Sequence, residues 1–221
     1  MRVCRCNVMK LVCISDTHGD HEGVVLPEGD VLIHAGDLSA HGRQAETLAF
    51  MQWLGSQHFE HILCIAGNHD VFIEQQPLIA LQFAQDNGVR LLNDSGCTID
   101  GVKFWGSPIT PRFMNWAFMR DPGKPIEAHW QMIPTDTDVL ITHGPPYRIM
   151  DQVRRPDGKL HHTGCPSLLN RVSEVSPIVH LFGHIHEGHG RVDESGVAYY
   201  NVCTMNEHYR LAHPPVVIDM P

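Results

Sequence analysis

The sequence has no apolar run approaching the roughly 20 residues of a membrane-spanning helix. The apolar stretch at residues 11–14 is too short for the hydrophobic region of a signal peptide, and Asp16 follows it closely. We therefore expect no association with a membrane and a cytoplasmic location.

Basic residues are few: the chain has 16 Lys and Arg against 25 Asp and Glu, a formal net charge of -9. This balance argues against a protein that binds duplex nucleic acid or an acidic membrane surface. It does not exclude a small anionic substrate, because bound metal ions can reverse the local charge.

The sequence also lacks any CxxC pair, although it has seven cysteines, so a thiolate zinc site is not expected. Cys13, Cys64 and Cys203 lie in apolar runs, where free cysteine behaves as a small hydrophobic residue. An odd number of cysteines without a disulfide pattern fits a reducing compartment.

Histidine, in contrast, is abundant, with 17 among 221 residues. Histidine side chains bind metals and transfer protons, so this excess is a reason to search for a site. The length predicts a single domain over residues 1–221.

Short apolar runs rich in Val, Ile and Leu recur along the chain and predict strands covered on both faces. These runs are residues 8–14, 31–35, 62–66, 139–142 and 178–182. Helices are predicted at residues 45–54, 77–86 and 166–172, and further strands at 102–105, in a hairpin at 191–203 and at 216–218. Strands that alternate with helices indicate an α/β layered fold with mixed sheets.

Two proline- and glycine-rich segments, residues 107–133 and 144–164, are predicted to be long loops. Trp116 and Phe118 in the first could stack on a nucleobase or belong to the core. The second carries a basic cluster that could contact phosphate or a base, or could form a solvated loop. The cluster comprises Arg148, Arg154, Arg155, Lys159, His161 and His162.

A potential metal ligand follows each of the five apolar runs. The segments are Asp16-Thr17-His18, Gly36-Asp37, Gly67-Asn68-His69-Asp70, His143-Gly144 and Gly183-His184-Ile185-His186. Each segment alone is weak, since Gly-Asp and Gly-Asn are common in turns. Functional groups gather at the carboxyl ends of strands in open α/β sheets, so together these segments predict one shared centre.

Carboxylate, imidazole and amide groups can hold two divalent ions that clamp the attacking and leaving oxygens of a displacement at phosphorus. Because the set has no thiolate, it suits Mn, Fe or Zn without selecting one of them.

In this order, the five segments resemble the motif blocks of the calcineurin-like metallophosphoesterases, over residues 11–203. The resemblance implies a four-layer α/β-β/α sandwich of two mixed sheets flanked by helices, with a dimetal site at one edge. Residues 13–18, 32–39, 142–146 and 214–221 are similar to the small, single-domain subgroup of metallophosphoesterase-domain-containing proteins, which has class III cyclic nucleotide phosphodiesterases among its relatives.

The resemblance also implies roles for the site residues. The first metal would be held by Asp16, His18 and His186, the second by Asn68, His143 and His184, and both by Asp37. His69 would contact the phosphate and stabilise or protonate the leaving oxygen, and Asp70 would orient His69. The nucleophile would be a hydroxide that bridges the two metals.

We therefore expect a metal-dependent phosphoesterase that hydrolyses a small phosphodiester, such as a cyclic nucleotide. Two alternatives remain open: a phosphomonoesterase acting on a phosphoprotein or a nucleotide, and a metal-binding interaction scaffold without turnover. The complete set of residues, including the non-ligand His69, argues against the scaffold.

Overall fold

The computed structural model describes residues 8–220, which form fifteen strands and five α-helices. The first eight strands are β1 (Met9–Ile14), β2 (Val31–Ala35), β3 (His61–Ile65), β4 (Arg90–Leu92), β5 (Ser95–Ile99), β6 (Val102–Ser107), β7 (Thr110–Pro111) and β8 (Met119–Arg120). The others are β9 (Val139–Thr142), β10 (Gln152–Arg154), β11 (Leu160–His162), β12 (Val179–Phe182), β13 (Gly190–Glu194), β14 (Val197–Asn201) and β15 (Val216–Met220). The helices are α1 (Gln44–Gly55), α2 (Val71–Gln75), α3 (Pro77–Asp86), α4 (Lys124–Trp130) and α5 (Pro166–Val175).

Two large mixed sheets form the centre of the molecule. The first has the strand order β15-β1-β2-β3-β4, in which β1 to β4 run parallel and β15 runs antiparallel to β1. The second has the order β13-β14-β12-β9-β6-β5, with a parallel centre and an antiparallel strand at each edge. The two sheets therefore each present the carboxyl ends of several parallel strands.

The sheets pack face to face through alternate residues of their strands. Leu11 and Cys13 of β1 belong to the same buried cluster as Ile141 of β9 and Leu181 of β12. Val12, between the two β1 residues, belongs instead to the cluster formed with the helices. Because side chains alternate across a strand, every inner strand contributes to both layers of the core, which explains its unbroken apolar sequence.

Helices cover the outer faces of both sheets. Phe50 and Met51 of α1 are buried with Leu32 of the first sheet, while Trp130 of α4 and Val172 of α5 are buried in the same helix-facing cluster. Pro77 is the first residue of α3, where a missing amide proton costs nothing, and Gly88 follows the helix in a left-handed conformation. The result is the predicted four-layer α/β-β/α sandwich.

The five predicted apolar runs all form strands, although β3 begins and ends one residue earlier than expected. The interpretation of residues 107–133 and 144–164 as loops was incomplete. The first contains α4 and the short pair β7–β8, and the second contains the hairpin β10–β11. None of the helices in the described residues 8–220 is long and apolar enough to cross a membrane.

Candidate metal centre

The five predicted segments meet where parallel strands of both sheets end. Asp16 and Asp37 follow the neighbouring strands β1 and β2, and the Asp16 amide donates to the Gly36 carbonyl at 2.9 Å. His143 and His184 follow the neighbouring strands β9 and β12 of the second sheet. An isolated parallel bridge between Ser15 and Cys203 connects the ends of the two sheets at this point.

The backbone of the centre is strained. Asp16, His18, Asp37 and His184 have φ angles of 54°, 42°, 57° and 67°, in the left-handed region that non-glycine residues seldom adopt. Such conformations cost about 1–3 kcal/mol each and persist where the surrounding structure fixes them, typically at functional sites. The strained residues are four of the seven predicted metal ligands.

Two glycines permit the close approach of the segments. A Cβ atom at Gly183 would collide with the carboxylate of Asp16, and a Cβ atom at Gly67 would collide with Asp37 and the ring of His143. Neither glycine is needed for a positive φ angle, so both are explained by the space that the side chains of the centre occupy.

The first group of ligands surrounds one oxygen of Asp16. Its Oδ1 lies 3.4 Å from Nε2 of His186 and 3.9 Å from Nε2 of His18, and these two nitrogens are 3.4 Å apart. All three residues are buried. A carboxylate oxygen and two imidazole nitrogens thus converge on one point.

The second group surrounds His143. Its Nε2 lies 3.0 Å from Oδ1 of Asn68 and 3.4 Å from Oδ2 of Asp37, and its ring packs edge-on against His184 at 5.0 Å. Asp37 also lies 3.8 Å from His18 of the first group. Ligand atoms of Asp37 belong to two compact sets, one with His143 and His184 and one with His18 and His69.

The outward nitrogens of two of the imidazoles, those of His143 and His186, are fixed by backbone carbonyls. Nδ1 of His143 lies 3.0 Å from the Ala35 oxygen, and Nδ1 of His186 lies 2.9 Å from the Asn206 oxygen. Nδ1 of each ring donates to a carbonyl, so Nε2 is the nitrogen that faces the centre. Histidines that bind metals are commonly held in this way, with the second ring nitrogen donating to a carbonyl or carboxylate. The donor set therefore fits two hard or intermediate cations.

The charges of the centre are balanced only by histidines within residues 8–220. Burial alone would raise the pKa of Asp16, but the hydrogen bond from His186 and the charge of His143 hold it well below its usual range. Burial alone would lower the pKa values of His143 and His186, but Asp37 and Asp16 respectively raise each of them to about 9. Burial and the nearby His143 lower the pKa of His184 to about 4.

His69 lies next to the candidate ligands, and one of its ring nitrogens is within 4.8 Å of ligand atoms of His18 and Asp37. Its amide donates to Oδ1 of Asp37 at 2.7 Å, and its ring packs edge-on against His18 at 4.5 Å. Nδ1 of His69 lies 3.1 Å from the carbonyl of Ala40, so the other ring nitrogen is available to a substrate.

Asp70, expected to orient His69, forms no hydrogen bond with the His69 ring among residues 8–220. The buried carboxylate of Asp70 instead accepts hydrogen bonds from the amides of Gly67 and Ser39 and from the Ser39 hydroxyl. Asp70 thus fixes the backbone that carries His69, while the carbonyl of Ala40 orients the ring.

Sequence reasoning missed two residues that contact the centre. Cys203, buried after β14, places its thiol 3.1 Å from Oδ2 of Asp16. Tyr209 packs its ring at 5.0 Å from the rings of both His18 and His186. The only available signal was a cysteine at the end of the predicted hairpin 191–203, which is equally typical of a core residue.

The two aromatic residues of the first predicted loop have different surroundings. Phe118 is buried in the core and cannot meet a substrate, whereas Trp116 packs at 4.1 Å against the ring of His69. In the basic cluster, Arg154 donates to the Gly158 carbonyl, His161 pairs with Asp157 and His162 pairs with Asp151.

Comparison with known proteins relates the chain to one family. Residues 9–188 match the calcineurin-like phosphoesterase family. The human metallophosphoesterase domain-containing protein 1 is 39% identical over 96% of this chain and 71% of its own length. A UPF0046 protein of Caenorhabditis elegans is 34% identical over 96% of this chain and 76% of its own length.

Solved structures show the same fold at low sequence identity. The crystal structure of TT1561 of Thermus thermophilus aligns with a TM-score of 0.59 over 88% of each chain, at 15% identity. A further crystal structure aligns with a TM-score of 0.64 over 88% of this chain and 90% of the other, at 16% identity.

Proposed function

The chain belongs to the calcineurin-like phosphoesterase family, and from this premise we propose that it hydrolyses small phosphodiesters at a centre that holds two metal ions. Family membership itself implies metal-dependent hydrolysis of a phosphate ester. The observation that carries the proposal is the position of Asp37, whose Oδ2 lies 3.4 Å from Nε2 of His143 and 3.8 Å from Nε2 of His18, one histidine from each group. A shared carboxylate is what a pair of closely spaced cations requires.

We assign Asp16, His18 and His186 to one ion, Asn68, His143 and His184 to the other, and Asp37 to both. Support comes from the short distances within each group and from the carbonyls that fix His143 and His186. When bound, ions of the Mn, Fe or Zn type supply Lewis acidity toward the phosphoryl oxygens and lower the pKa of coordinated water.

His69 acts on the phosphate and on the leaving oxygen. Its ring lies beside His18 and its Nδ1 faces the Ala40 carbonyl, which leaves the other ring nitrogen to face a bound phosphate. An imidazole in this position can donate a hydrogen bond to the charge that develops on the leaving oxygen. Asp70 positions His69 through the loop backbone.

A diester is favoured over a monoester by the border of the centre. Phe113, Trp116 and Tyr209 pack against His184, His69 and His18 and remain 58%, 38% and 55% exposed. Such a rim suits the organic substituents of a diester better than the dianion of a monoester, which gains most from additional fixed cations. A cyclic nucleotide is a small diester of this kind.

The test is a comparison of turnover by the Mn²⁺-loaded protein on bis-p-nitrophenyl phosphate and p-nitrophenyl phosphate. The proposal predicts faster hydrolysis of the diester, and a strong preference for the monoester would replace it by the phosphatase alternative. A screen of 2′,3′- and 3′,5′-cyclic nucleotides then identifies the diester class. If metal-loaded protein hydrolyses none of these esters, the scaffold alternative takes the place of the enzyme.

We further propose that residues 1–221 act as one domain in the cytoplasm. The pairing of β1 with β15 supports the first point, because it joins the beginning and the end of the described chain in one sheet. The free thiols of Cys13, Cys64 and Cys203, all buried, are consistent with the second point.

A further inference from the structure

One buried polar side chain interrupts the apolar sequence of β2. His34 is completely buried between Ile33 and Ala35, and it belongs to none of the ligand groups found within residues 8–220. Burial of an imidazole is unfavourable unless its nitrogens form hydrogen bonds. The contacts of this ring therefore show what the position requires.

Both ring nitrogens of His34 contact loops that carry metal ligands. Nδ1 accepts a hydrogen bond from the amide of Gly36 at 3.3 Å, and Nε2 lies 3.1 Å from the hydroxyl oxygen of Thr17. Because Nδ1 accepts, the proton of the neutral ring is on Nε2, which donates to the threonine hydroxyl. Burial lowers the pKa of His34 to about 3, so the ring is neutral at pH 7.

The two loops hold three of the seven assigned metal ligands. Thr17 stands between Asp16 and His18, and Gly36 directly precedes Asp37. The loops also bond to each other through their backbones. The Asp16 amide donates to the Gly36 carbonyl at 2.9 Å, and the His18 amide donates to the Asp37 carbonyl at 3.1 Å. The imidazole from β2 adds a side-chain connection to this pairing.

The same loops carry strained backbone. Gly36 has a φ angle of 100°, and the left-handed residues Asp16, His18 and Asp37 directly adjoin the residues that His34 contacts. Such conformations persist only where the surrounding structure fixes them. Without the two hydrogen bonds, the loops would be freer to relax and to turn the ligand side chains away from each other.

The ring of His34 is itself held in place by α1. Its centroid lies 4.7 Å from that of the Phe50 ring, in an edge-on arrangement, and Phe50 is completely buried. An imidazole in a fixed orientation offers one acceptor and one donor at a constant angle. An asparagine or glutamine at this position reproduces only one of the two.

We propose that His34 is a positioning residue of the candidate metal centre, which fixes Asp16, His18 and Asp37 through the loops that carry them. This inference rests on the proposed function, because these residues are ligands only if the centre binds metal. Loss of the ring should weaken metal binding and raise the Mn²⁺ concentration needed for activity. At saturating Mn²⁺ the KM for bis-p-nitrophenyl phosphate should stay the same, since the ring is buried away from the substrate.

The first test measures the dissociation constant for Mn²⁺ by calorimetry. His34→Leu removes both hydrogen bonds, and we expect a dissociation constant about tenfold larger than that of the wild type. His34→Gln places a donor near the position of Nε2, and His34→Asn places an acceptor near Nδ1, so each should recover part of this loss. Nitrogen NMR of the metal-free wild type should show a neutral ring protonated on Nε2 at pH 7.

The partner hydroxyl supplies an independent variant. Thr17→Val should weaken Mn²⁺ binding several-fold, and His34→Leu combined with Thr17→Val should be no weaker than His34→Leu alone, because the two side chains share one hydrogen bond. If His34→Leu does not fold, as judged by urea unfolding, Thr17→Val and His34→Gln decide the question.

His21 provides the matched control. It is buried and packs edge-on against the same Phe50 at 5.3 Å, but its Nδ1 has no hydrogen-bond partner within the described part of the chain. His21→Leu should therefore bind Mn²⁺ like the wild type. An equal loss of affinity in His21→Leu would overturn the proposal, because the effect would then come from packing on Phe50.

Two other results separate this proposal from the proposed function. Wild-type Mn²⁺ affinity in folded His34→Leu or in Thr17→Val, or a ring protonated on Nδ1, overturns the positioning role while the proposed function stands. If the wild type binds no Mn²⁺ and does not hydrolyse bis-p-nitrophenyl phosphate, the proposed function fails and the role of His34 fails with it.

Discussion

The thiol of Cys203 and the Oδ2 oxygen of Asp16 lie 3.1 Å apart, at the point where the two sheets meet. The same oxygen accepts a hydrogen bond from the hydroxyl of Ser15, while Oδ1 faces His186 and His18. The His184 amide lies 3.0 Å from Oδ2 and 3.1 Å from Oδ1, so Oδ2 has three donors from the protein, whereas Oδ1 has this amide alone and faces the histidines of the first ligand group. Partners of this kind orient metal ligands and typically contribute 10- to 100-fold, as an order of magnitude, to metal affinity.

Cys203→Val removes the donor at similar volume, so we expect the affinity for Mn²⁺ to fall about tenfold or more. Cys203→Ser retains a donor and should stay within about threefold of the wild type. Metal titrations followed by calorimetry measure both values. Cys64→Val is the matched control, since Cys64 is equally buried but its thiol faces a carbonyl of its own strand. A wild-type affinity in Cys203→Val would contradict the positioning role.

Asp37→Asn should reduce turnover of bis-p-nitrophenyl phosphate by about 10³-fold or more, because the carboxylate that lies between His143 and His18 loses its charge. The metal content, measured by mass spectrometry, should fall with it. Asp94→Asn serves as the control, since Asp94 pairs with His129 outside the centre. Wild-type turnover by Asp37→Asn, with two metals confirmed, would refute the assignment.

His69→Ala should keep its metal content and lose about 10²- to 10⁴-fold in turnover, the usual range for a positioned acid or base. The reason is that His69 lies at the border of the centre and is fixed by the Ala40 carbonyl. Metal analysis and steady-state kinetics on the same sample check this. The exposed His41, which pairs with Glu46, provides the control variant His41→Ala. Loss of metal from His69→Ala would show that His69 is a ligand.

Metal binding should release protons from His143 and His186. In the metal-free protein the pKa of each is raised to about 9, so both are protonated at pH 7. A metal ligand must be a neutral imidazole, so full loading at pH 7 should release about two protons, and apparent affinity should increase as the pH rises toward 9. Calorimetry in buffers of different ionisation enthalpy measures this number. Binding at pH 7 without proton release would contradict the assignment of these ligands.

The buried His180 should make the metal-free protein sensitive to acid. Burial lowers its pKa to about 3, against about 6.5 in an unfolded chain, so the unfolded state binds the proton first as the pH falls. The free energy of unfolding should therefore decrease by about 1.4 kcal/mol per pH unit from this residue, between about pH 6.5 and 3.

Urea unfolding of His180→Asn at pH 7 and pH 5 tests this expectation. The variant should lose less stability than the wild type over this interval, whereas His208→Asn, at an exposed position, should follow the wild type. Identical pH dependence in His180→Asn and the wild type would show that His180 is protonated in the folded state.

The order of the site residues along the chain was enough to predict where they meet. Each follows an unbroken apolar run, and runs of this length and composition favour inner strands, whose carboxyl ends share an edge. Asp16 and Asp37 illustrate this, since β1 and β2 are neighbours in the same sheet. The division into two sheets came from the family resemblance, because a strand sequence does not reveal its partner.

Contacts between distant segments could not be predicted. From the sequence around it, Cys203 is indistinguishable from a core residue. Its contact with Asp16 arises from the bridge to Ser15, which is 188 positions earlier in the chain and cannot be seen in the local sequence. Asp70 reads as a partner for its neighbour His69, but the loop turns its carboxylate toward Gly67 and Ser39. Helix α4 was missed because the prolines and glycine at its start, Pro122, Gly123 and Pro125, also signal a loop.

The left-handed backbone at Asp16, His18, Asp37 and His184 depends on the surrounding fold. The geometry of the centre therefore cannot be transferred to another protein by copying these segments alone. A short peptide carrying any one of these segments would relax to an extended or helical conformation and scatter its ligands. Grafting the centre onto another scaffold would require both sheets, with the register that brings Ser15 beside Cys203. The geometry of the ligands therefore depends on the junction of the two sheets and not on the short motifs alone.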